Sequence, residues 1–268
     1  MRKIFNKNTI ASFILGMVVM FGSGLGYFYS LDSESPNGTT CFGSNVGVVR
    51  IFGEINVAED VEYISTSAPK VIKQIEELDS NSDIKAIVLD ISSPGGVMES
   101  SESIMLAVKR ASKTVTAVIR NMGTSGAYLV TSGANRIFAS RLSEVGSIGV
   151  TRDFLDTSEK DRRDGVVFYD FSSGPYKGTE KEHNAITEAQ RKLIMEGVMK
   201  THDIFVEYVA KNRNIPLEKV KLLATGRTYL GDDALKLGLI DEIGGITEAN
   251  TYLQNIIGEE PSYCYVGE

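Results

Sequence analysis

Short apolar runs that alternate with helical patterns restrict the fold of this sequence most strongly. Four runs rich in valine and isoleucine cover residues 46–51, 84–91, 115–119 and 136–139. Runs that are apolar on both faces are typical of parallel strands covered on both sides. Helical patterns lie between them, marked by Val71, Ile75, Leu78, Ile104, Met105, Val108 and the short segment 127–133. The order strand, helix, strand predicts right-handed βαβ units in an α/β fold.

The second half of the chain is predicted to be mostly helical after one more strand. Residues 166–171 form that further apolar run, and a long helical pattern covers residues 187–212. The expected apolar stripe of this helix consists of Leu193, Ile194, Val198, Phe205 and Val209. Shorter helices are predicted at 217–224, where Pro216 starts the helix, and at 232–237 and 247–257.

The N-terminal segment predicts a membrane anchor. No residue from 8 to 31 is charged. This uncharged segment is long enough to cross a bilayer as a helix. Arg2, Lys3 and Lys7 precede the segment, and this positive charge predicts that the chain after it is extracytoplasmic. A cleaved signal peptide is the competing interpretation. The length of the apolar stretch and the lack of a clear Ala-x-Ala site favour a retained anchor.

Composition excludes several classes of function. The chain has 28 Lys and Arg against 35 Asp and Glu, a net charge of −7, and no basic stripe, so nucleic acid is not an expected partner. The two cysteines, Cys41 and Cys264, cannot form a zinc cluster, and the sequence leaves their pairing open. The two histidines, His183 and His202, are interpreted as a solvated loop residue and a packing residue. No metal or cofactor is expected.

Two loops at predicted strand ends carry candidate chemistry. In residues 92–96, Gly95 and Gly96 permit a sharp turn and leave amide groups uncovered by side chains. Residues 121–127 lead into the short helix and bring Ser125 to its first turn, where backbone N–H groups and the helix dipole stabilise negative charge. This arrangement suits a nucleophilic serine with an oxyanion hole. A helix N-cap is the competing interpretation.

Five motifs together resemble the signal peptide peptidase A family of membrane-anchored serine proteases. They are Ser92-Ser-Pro-Gly-Gly, Gly123-Thr-Ser-Gly-Ala-Tyr, Val145-Gly-Ser-Ile-Gly-Val, Ser173-Gly-Pro-Tyr-Lys, and residues 225–245, which begin Thr225-Gly-Arg. The resemblance extends over about residues 46–255 and implies the fold of the Clp protease and crotonase superfamily. Many members carry Ala-Ala-Ser-Gly-Gly at the nucleophile, so the substrate pocket of this chain is expected to differ.

The resemblance also implies roles for individual residues. Ser125 would be the nucleophile and Lys177 its general base, with the backbone N–H groups of Gly96 and Gly126 as oxyanion donors and Ser147 in support. A lysine acts as a base only when its ammonium is desolvated or crowded. Partial burial of Lys177 is therefore expected, although the local sequence alone favours an exposed side chain.

The N-terminal pattern and the resemblance together predict an organisation in five parts. They are a cytoplasmic N-terminus (1–8), a transmembrane signal anchor (9–30), a tether (31–44), a protease domain (45–258) and a C-terminal tail (259–268). The protein would lie in the inner membrane with its protease domain outside the cytoplasm. It would form a ring-shaped homo-oligomer that shares the dyad between protomers, and it would degrade signal peptides and other apolar peptides.

Two other functions compete with this hypothesis. An inactive membrane-anchored scaffold would keep the fold and bind peptides or partner subunits, but the presence of both Ser125 and Lys177 argues against it. A crotonase-type acyl-CoA enzyme would share the sheet and the glycine-rich loops. The predicted extracytoplasmic location argues against that enzyme, because coenzyme A is cytoplasmic.

Overall fold

A nine-stranded sheet forms the centre of the computed structural model, which describes residues 41–58 and 63–267. The strands are β1 (Val46–Asn56), β2 (Ser65–Ser67), β3 (Ala86–Gly96), β4 (Thr114–Thr124), β5 (Arg136–Ala139), β6 (Glu144–Gly146), β7 (Thr228–Leu230), β8 (Glu242–Ile243) and β9 (Tyr263–Tyr265). Their main order is β2-β1-β3-β4-β5-β8, and all these pairs are parallel. Strand β9 pairs in parallel with β1, and β6 pairs in parallel with β4. Strand β7 pairs antiparallel with β6.

Alternating side chains of the three longest strands bury both faces of this sheet. Ile87, Leu89 and Ile91 of β3 belong to the larger core cluster, and Ala86 and Val88 belong to a second, smaller one. Successive side chains of a strand point to opposite faces. A strand buried on both faces must therefore be apolar at consecutive positions, and this explains the continuous runs in the sequence.

Eight helices of the described residues accompany the sheet. They are α1 (Ala68–Ser80), α2 (Met98–Arg110), α3 (Gly126–Ser132), α4 (Ser158–Arg163), α5 (Glu188–Arg213), α6 (Leu217–Leu223), α7 (Gly231–Leu237) and α8 (Ile246–Ile257). Helices α1, α2 and α3 and the C-terminal half of α5 pack in the larger cluster. Helix α8 packs Ala249 and Leu253 against the opposite face.

The predicted α/β class with a parallel sheet is confirmed, and the central strands are longer than their apolar runs. Strands β1, β3 and β4 each have 11 residues. The additional residues of β3 and β4 include the two loops that the sequence analysis selected, up to Gly96 and Thr124. Backbone pairing therefore continues to the last residue before Ser125, which holds the candidate nucleophile on a rigid support.

The strand predicted at residues 166–171 is wrong. These residues have no regular secondary structure, and Val167, Tyr169 and Phe171 are 69%, 80% and 94% exposed. A strand needs a partner for its backbone hydrogen bonds, and no other strand of the described chain pairs with this segment. Apolar periodicity alone does not supply such a partner.

The apolar stripe predicted for the long helix is correct only in its C-terminal half. Helix α5 begins after Thr187, whose side chain and that of Gln190 form a capping box. Phe205 and Val209 are fully buried, whereas Leu193 is 46% exposed. The first half of the helix extends beyond the core, so its apolar residues lie on the surface of a single chain.

A disulfide joins the two cysteines whose pairing the sequence left open. Cys41 and Cys264 are bonded, with their Cα atoms 5.3 Å apart, within the usual range for a disulfide. Cys264 lies in β9, which pairs with β1 through Gly47. The bond therefore attaches the start of the described chain to the added strand β9.

The predicted anchor at 9–30 lies outside the described residues, as do the N-terminus 1–8 and most of the tether. Within residues 41–58 and 63–267, no helix has both the length and the hydropathy needed to cross a membrane.

Replacing both cysteines, Cys41→Ser with Cys264→Ser, is expected to lower the free energy of unfolding by about 2–5 kcal/mol, because the unfolded chain loses its cross-link. The bond closes a loop with a sequence separation of 223 residues. Urea denaturation measures the effect, and reduced wild type serves as the control. An unfolding midpoint equal to that of oxidised wild type would contradict the prediction.

Candidate active site

Ser125 lies at a sharp turn between β4 and α3. Its backbone has φ 53° and ψ −127°, and it is one of three non-glycine residues with positive φ in the described part of the chain. Such a conformation is strained for a residue with a side chain and persists only where the surrounding structure enforces it. Ser125 is half-buried, and its neighbours Thr124 and Gly126 are buried. The turn thus presents one partly accessible hydroxyl on a rigid support.

Three glycines surround this turn. A Cβ on Gly95, whose φ is +108°, would lie 2.8 Å from the Cβ of Ser125 and 2.7 Å from the nitrogen of Gly126. A Cβ on Gly126 would lie 3.3 Å from the nitrogen of Gly96. The structure therefore brings the backbones of Gly96 and Gly126 together beside Ser125, and their role as oxyanion donors stays a prediction.

The amide of Ser125 itself is already used. It donates to the carbonyl oxygen of Gly146 at 2.8 Å, so the backbone of β6 lies beside the nucleophile turn. This contact brings the next residue, Ser147, close to Ser125. Ser147 has φ 49°, and its hydroxyl donates to the carbonyl of Gly226 at 3.2 Å.

Lys177 is exposed in a turn, and within one chain the expected partial burial is not found. Its backbone N–H donates to the carbonyl of Gly174 at 3.1 Å. Among the described residues, no side-chain hydrogen bond or ion pair joins Lys177 to Ser125 or Ser147. The structure thus brings together every predicted site residue except Lys177.

Neither histidine hydrogen-bonds to Ser125 in the described structure. The Nε2 of His202 lies 3.1 Å from the carbonyl oxygen of Ala224 on the partly buried side of α5. His183 lies in a loop with a partly exposed side chain, as the sequence analysis expected, and its Nδ1 lies 2.9 Å from the carboxylate of Asp161. The Ser-His-Asp arrangement is thus not present around Ser125.

Sequence reasoning missed two residues that hold the nucleophile helix. The hydroxyl of Ser101 donates to the carbonyl of Val97 at 2.9 Å and lies where a Cβ of Gly126 would stand. Tyr128 is fully buried, and its hydroxyl donates to the carbonyl of Leu239 at 2.9 Å. A buried tyrosine needs a partner for its hydroxyl, but its sequence does not identify that partner.

The parallel sheet, with a strained serine at a strand-to-helix turn beside glycine amides, defines a fold of the Clp protease type. The Clp protease family model matches residues 48–144, which include Gly95, Gly96 and Ser125. The model of peptidase family S49 matches residues 107–257, more than half of the chain. The chain therefore belongs to peptidase family S49, as the resemblance to signal peptide peptidase A predicted.

Curated relatives agree with this assignment. The chain is 33% identical over 201 residues to "Putative signal peptide peptidase SppA" of Enterococcus faecium, covering 74% of this chain and 58% of that protein. It is 27% identical to "Protease 4" of Haemophilus influenzae, covering 81% and 35%. It is 28% identical to "Serine protease SPPA, chloroplastic" of Arabidopsis thaliana, covering 68% and 27%. In each case the chain spans less than two thirds of the relative.

Gly95→Ala is expected to lower kcat/KM at least about tenfold, because the added Cβ displaces Ser125 and the amide of Gly126. The matched control is Gly245→Ala, directly before α8, where a Cβ also meets nothing within 4 Å. That control should leave kcat/KM unchanged, because the added Cβ displaces no neighbouring group. Peptide hydrolysis and thermal unfolding measure both variants, and equal activities would contradict the prediction.

Tyr128→Phe is expected to lower the free energy of unfolding by about 1 kcal/mol at neutral pH, because the carbonyl of Leu239 loses its donor. Burial raises the pKa of Tyr128 above its ordinary value of 10.0. Above about pH 10 the unfolded phenol ionises while the folded one stays neutral, so wild-type stability falls as pH rises. The difference between the two proteins should therefore shrink above that pH in denaturation curves. A constant difference would contradict this prediction.

Proposed function

We propose that this chain is a membrane-anchored serine endopeptidase that uses Ser125 and Lys177 and degrades apolar peptides, including cleaved signal peptides. The observation that carries the proposal is the strained Ser125 turn, half-buried beside the amides of Gly96 and Gly126 and without a bonded histidine. A nucleophilic serine without histidine needs another base. Lys177 is the residue that the motif resemblance offers for this role.

In this mechanism the neutral amine of Lys177 takes the proton of the Ser125 hydroxyl, and the Ser125 oxygen attacks the peptide carbonyl carbon. The N–H groups of Gly96 and Gly126 stabilise the resulting oxyanion. The Lys177 ammonium then protonates the leaving amine as the peptide C–N bond breaks. Water, deprotonated by the same lysine, hydrolyses the acyl-enzyme and releases the acid product.

The exposure of Lys177 supports a site that is shared between copies of the chain. A lysine in water remains an ammonium, and it becomes a base only when a covering surface removes that water. Exposed apolar residues flank Lys177 on both sides in sequence, in 166–171 and in the first half of α5, where Met195 and Met199 are 49% and 47% exposed. Large exposed apolar areas mark interaction surfaces. A neighbouring copy in a ring would cover them and desolvate Lys177.

The membrane and substrate parts of the proposal rest on the N-terminal apolar segment and on the relatives. Residues 9–30 would anchor the chain, with the peptidase outside the cytoplasm. A relative carries the name of a signal peptide peptidase. An anchored peptidase meets apolar peptides at the bilayer surface, where such peptides partition.

Mixing Ser125→Ala protomers with Lys177→Ala protomers tests the proposal on a fluorogenic apolar peptide, with the full chain in detergent. Each variant alone is expected to be inactive, because each lacks one member of every site. A randomly mixed ring should recover about a quarter of wild-type activity, since one site in four pairs an intact serine with an intact lysine. As a control, each variant is first shown to assemble as wild type does, so that an inactive mixture does not reflect failed assembly.

Three results would contradict parts of this proposal. Wild-type activity in either single variant would exclude that residue from the reaction. An inactive mixture beside an active wild type would contradict the sharing of the site between protomers. An inactive wild type that still binds the peptide would favour the scaffold instead.

A further inference from the structure

The turn that carries Lys177 is held at its base by polar contacts. The ammonium of Lys181 lies 2.6 Å from the carboxylate of Asp170, which spans the turn from one side to the other. The guanidinium of Arg152 lies 2.6 Å from the carboxylate of Glu180. Each pair joins a residue before Lys177 to a residue after it, so the two pairs close the turn without contacting the lysine.

The side chain of His183 makes several contacts at the base of the Lys177 turn. Its Nδ1 lies 2.9 Å from the Oδ2 of Asp161 and 3.2 Å from the hydroxyl of Thr157. Its ring stacks on Phe168, with ring centroids 3.5 Å apart and an angle of 10° between the planes. One imidazole therefore joins the end of the Lys177 turn to helix α4 and to the segment before the turn.

The backbone next to His183 joins the same helix. The amide of Thr157 donates to the carbonyl of Glu182 at 2.6 Å, and the Thr157 hydroxyl lies 3.0 Å from the same oxygen. Hydrogen bonds from His183 and then from Thr157 lower the pKa of Asp161. An ionised carboxylate only accepts hydrogen bonds, so Nδ1 of His183 is the donor in its contact with Asp161.

These contacts are not needed to build the core. Helix α4 has no buried residue, and the side chains of His183 and Asp161 are 38% and 15% exposed. The Lys181–Asp170 and Arg152–Glu180 ion pairs lie at the surface, where such pairs add little to the free energy of unfolding. In a segment without a core of its own, however, such contacts decide which conformation the backbone adopts. Their effect is expected on the position of the turn and not on the stability of the domain.

We propose that His183 is a positioning residue for Lys177. By joining Asp161, Thr157 and Phe168, it holds the Lys177 turn in the conformation from which the amine enters the Ser125 site of a neighbouring copy. This inference rests on the proposed function, and it adds a requirement that the dyad alone does not contain. His183 must lie in the protomer that donates the lysine, and it is dispensable in the protomer that donates the serine.

The mixed ring of full-length chains tests this requirement directly. In one arm, His183→Ala is added to the Ser125→Ala protomer, which supplies Lys177. In the other arm, the same change is added to the Lys177→Ala protomer, which supplies Ser125. We expect the first arm to lose about tenfold of the recovered kcat, as for a misplaced catalytic group. The second arm should stay within about twofold of the parental mixture.

A purely structural role of His183 would lower the recovered kcat equally in both arms. The difference in kcat between the two arms therefore tests the inference. Equal loss in both arms, or no loss in either, would overturn the inference. Arg162→Ala is the matched control on the same helix, because in the described part of the chain the Arg162 side chain pairs only with Glu159, at 2.9 Å. It should leave both arms unchanged, and a loss equal to that of His183→Ala would also overturn the inference.

Two conservative variants separate the contacts of the imidazole. His183→Asn keeps a donor near the position of Nδ1, and His183→Phe keeps the ring that stacks on Phe168. We expect the asparagine variant to recover most of the kcat lost in the first arm, with KM unchanged. An asparagine variant as slow as alanine would overturn the role of the hydrogen bond to Asp161.

The failure of the proposed function is recognisable separately. If the parental mixture without any His183 change is inactive while wild type is active, sharing between protomers is excluded. The kcat and KM of His183→Ala in the otherwise wild-type chain then test whether His183 positions Lys177. A fall in kcat at unchanged KM supports positioning of Lys177 within one chain, and an unchanged kcat overturns it.

Discussion

The register of the parallel strands β1, β3 and β4 determines where the candidate active site of this chain lies. Ile55 of β1 pairs with Gly96 of β3, and Ser93 of β3 pairs with Gly123 of β4. The carboxyl ends of parallel strands meet at one edge of a sheet. This pairing brings the glycines at the end of β3 against the turn that holds Ser125. The close approach requires residues without side chains, since a Cβ on Gly95 would overlap the serine itself.

The strain at Ser125 depends on contacts that come from distant parts of the chain. Its amide is held by Gly146, and the helix behind it is held through Tyr128 and Leu239. A positive φ at a serine costs free energy, and the stabilisation from these contacts offsets that cost. The result is a rigidly held candidate nucleophile at the start of a helix, while the proposed base lies on an exposed turn fixed mainly by polar contacts.

This asymmetry is consistent with a peptidase whose single chain is incomplete. The failed strand prediction at 166–171 and the exposed first half of α5 have the same physical cause, since both predictions assumed that apolar residues are covered within one chain. Apolar periodicity reports that a surface is to be covered, but it does not report by which molecule. We therefore interpret both errors as features of the proposed assembly, in which His183 would orient the lysine between copies.

Most of the central sheet could be predicted because burial on both faces leaves a continuous apolar run in β1, β3 and β4. The short strands β2, β6, β7, β8 and β9 were not predicted, because two or three residues carry no detectable period. Ser125 and Gly96 could be selected from loops at strand ends, and the family resemblance added Gly126, whereas Ser101 and Tyr128 could not be selected. Their importance arises from contacts with Gly126 and Leu239 that no local pattern contains.

The sequence by itself determined the α/β class, the helix after Ser125 and the small residues that the nucleophile turn needs, because these depend on local conformational preference and on the burial of neighbouring side chains. Only the tertiary structure decided that Cys41 bonds to Cys264, that His183 contacts Asp161, and that Lys177 stays exposed in one chain. Each of these depends on distances between segments far apart in sequence, and local patterns do not specify such distances.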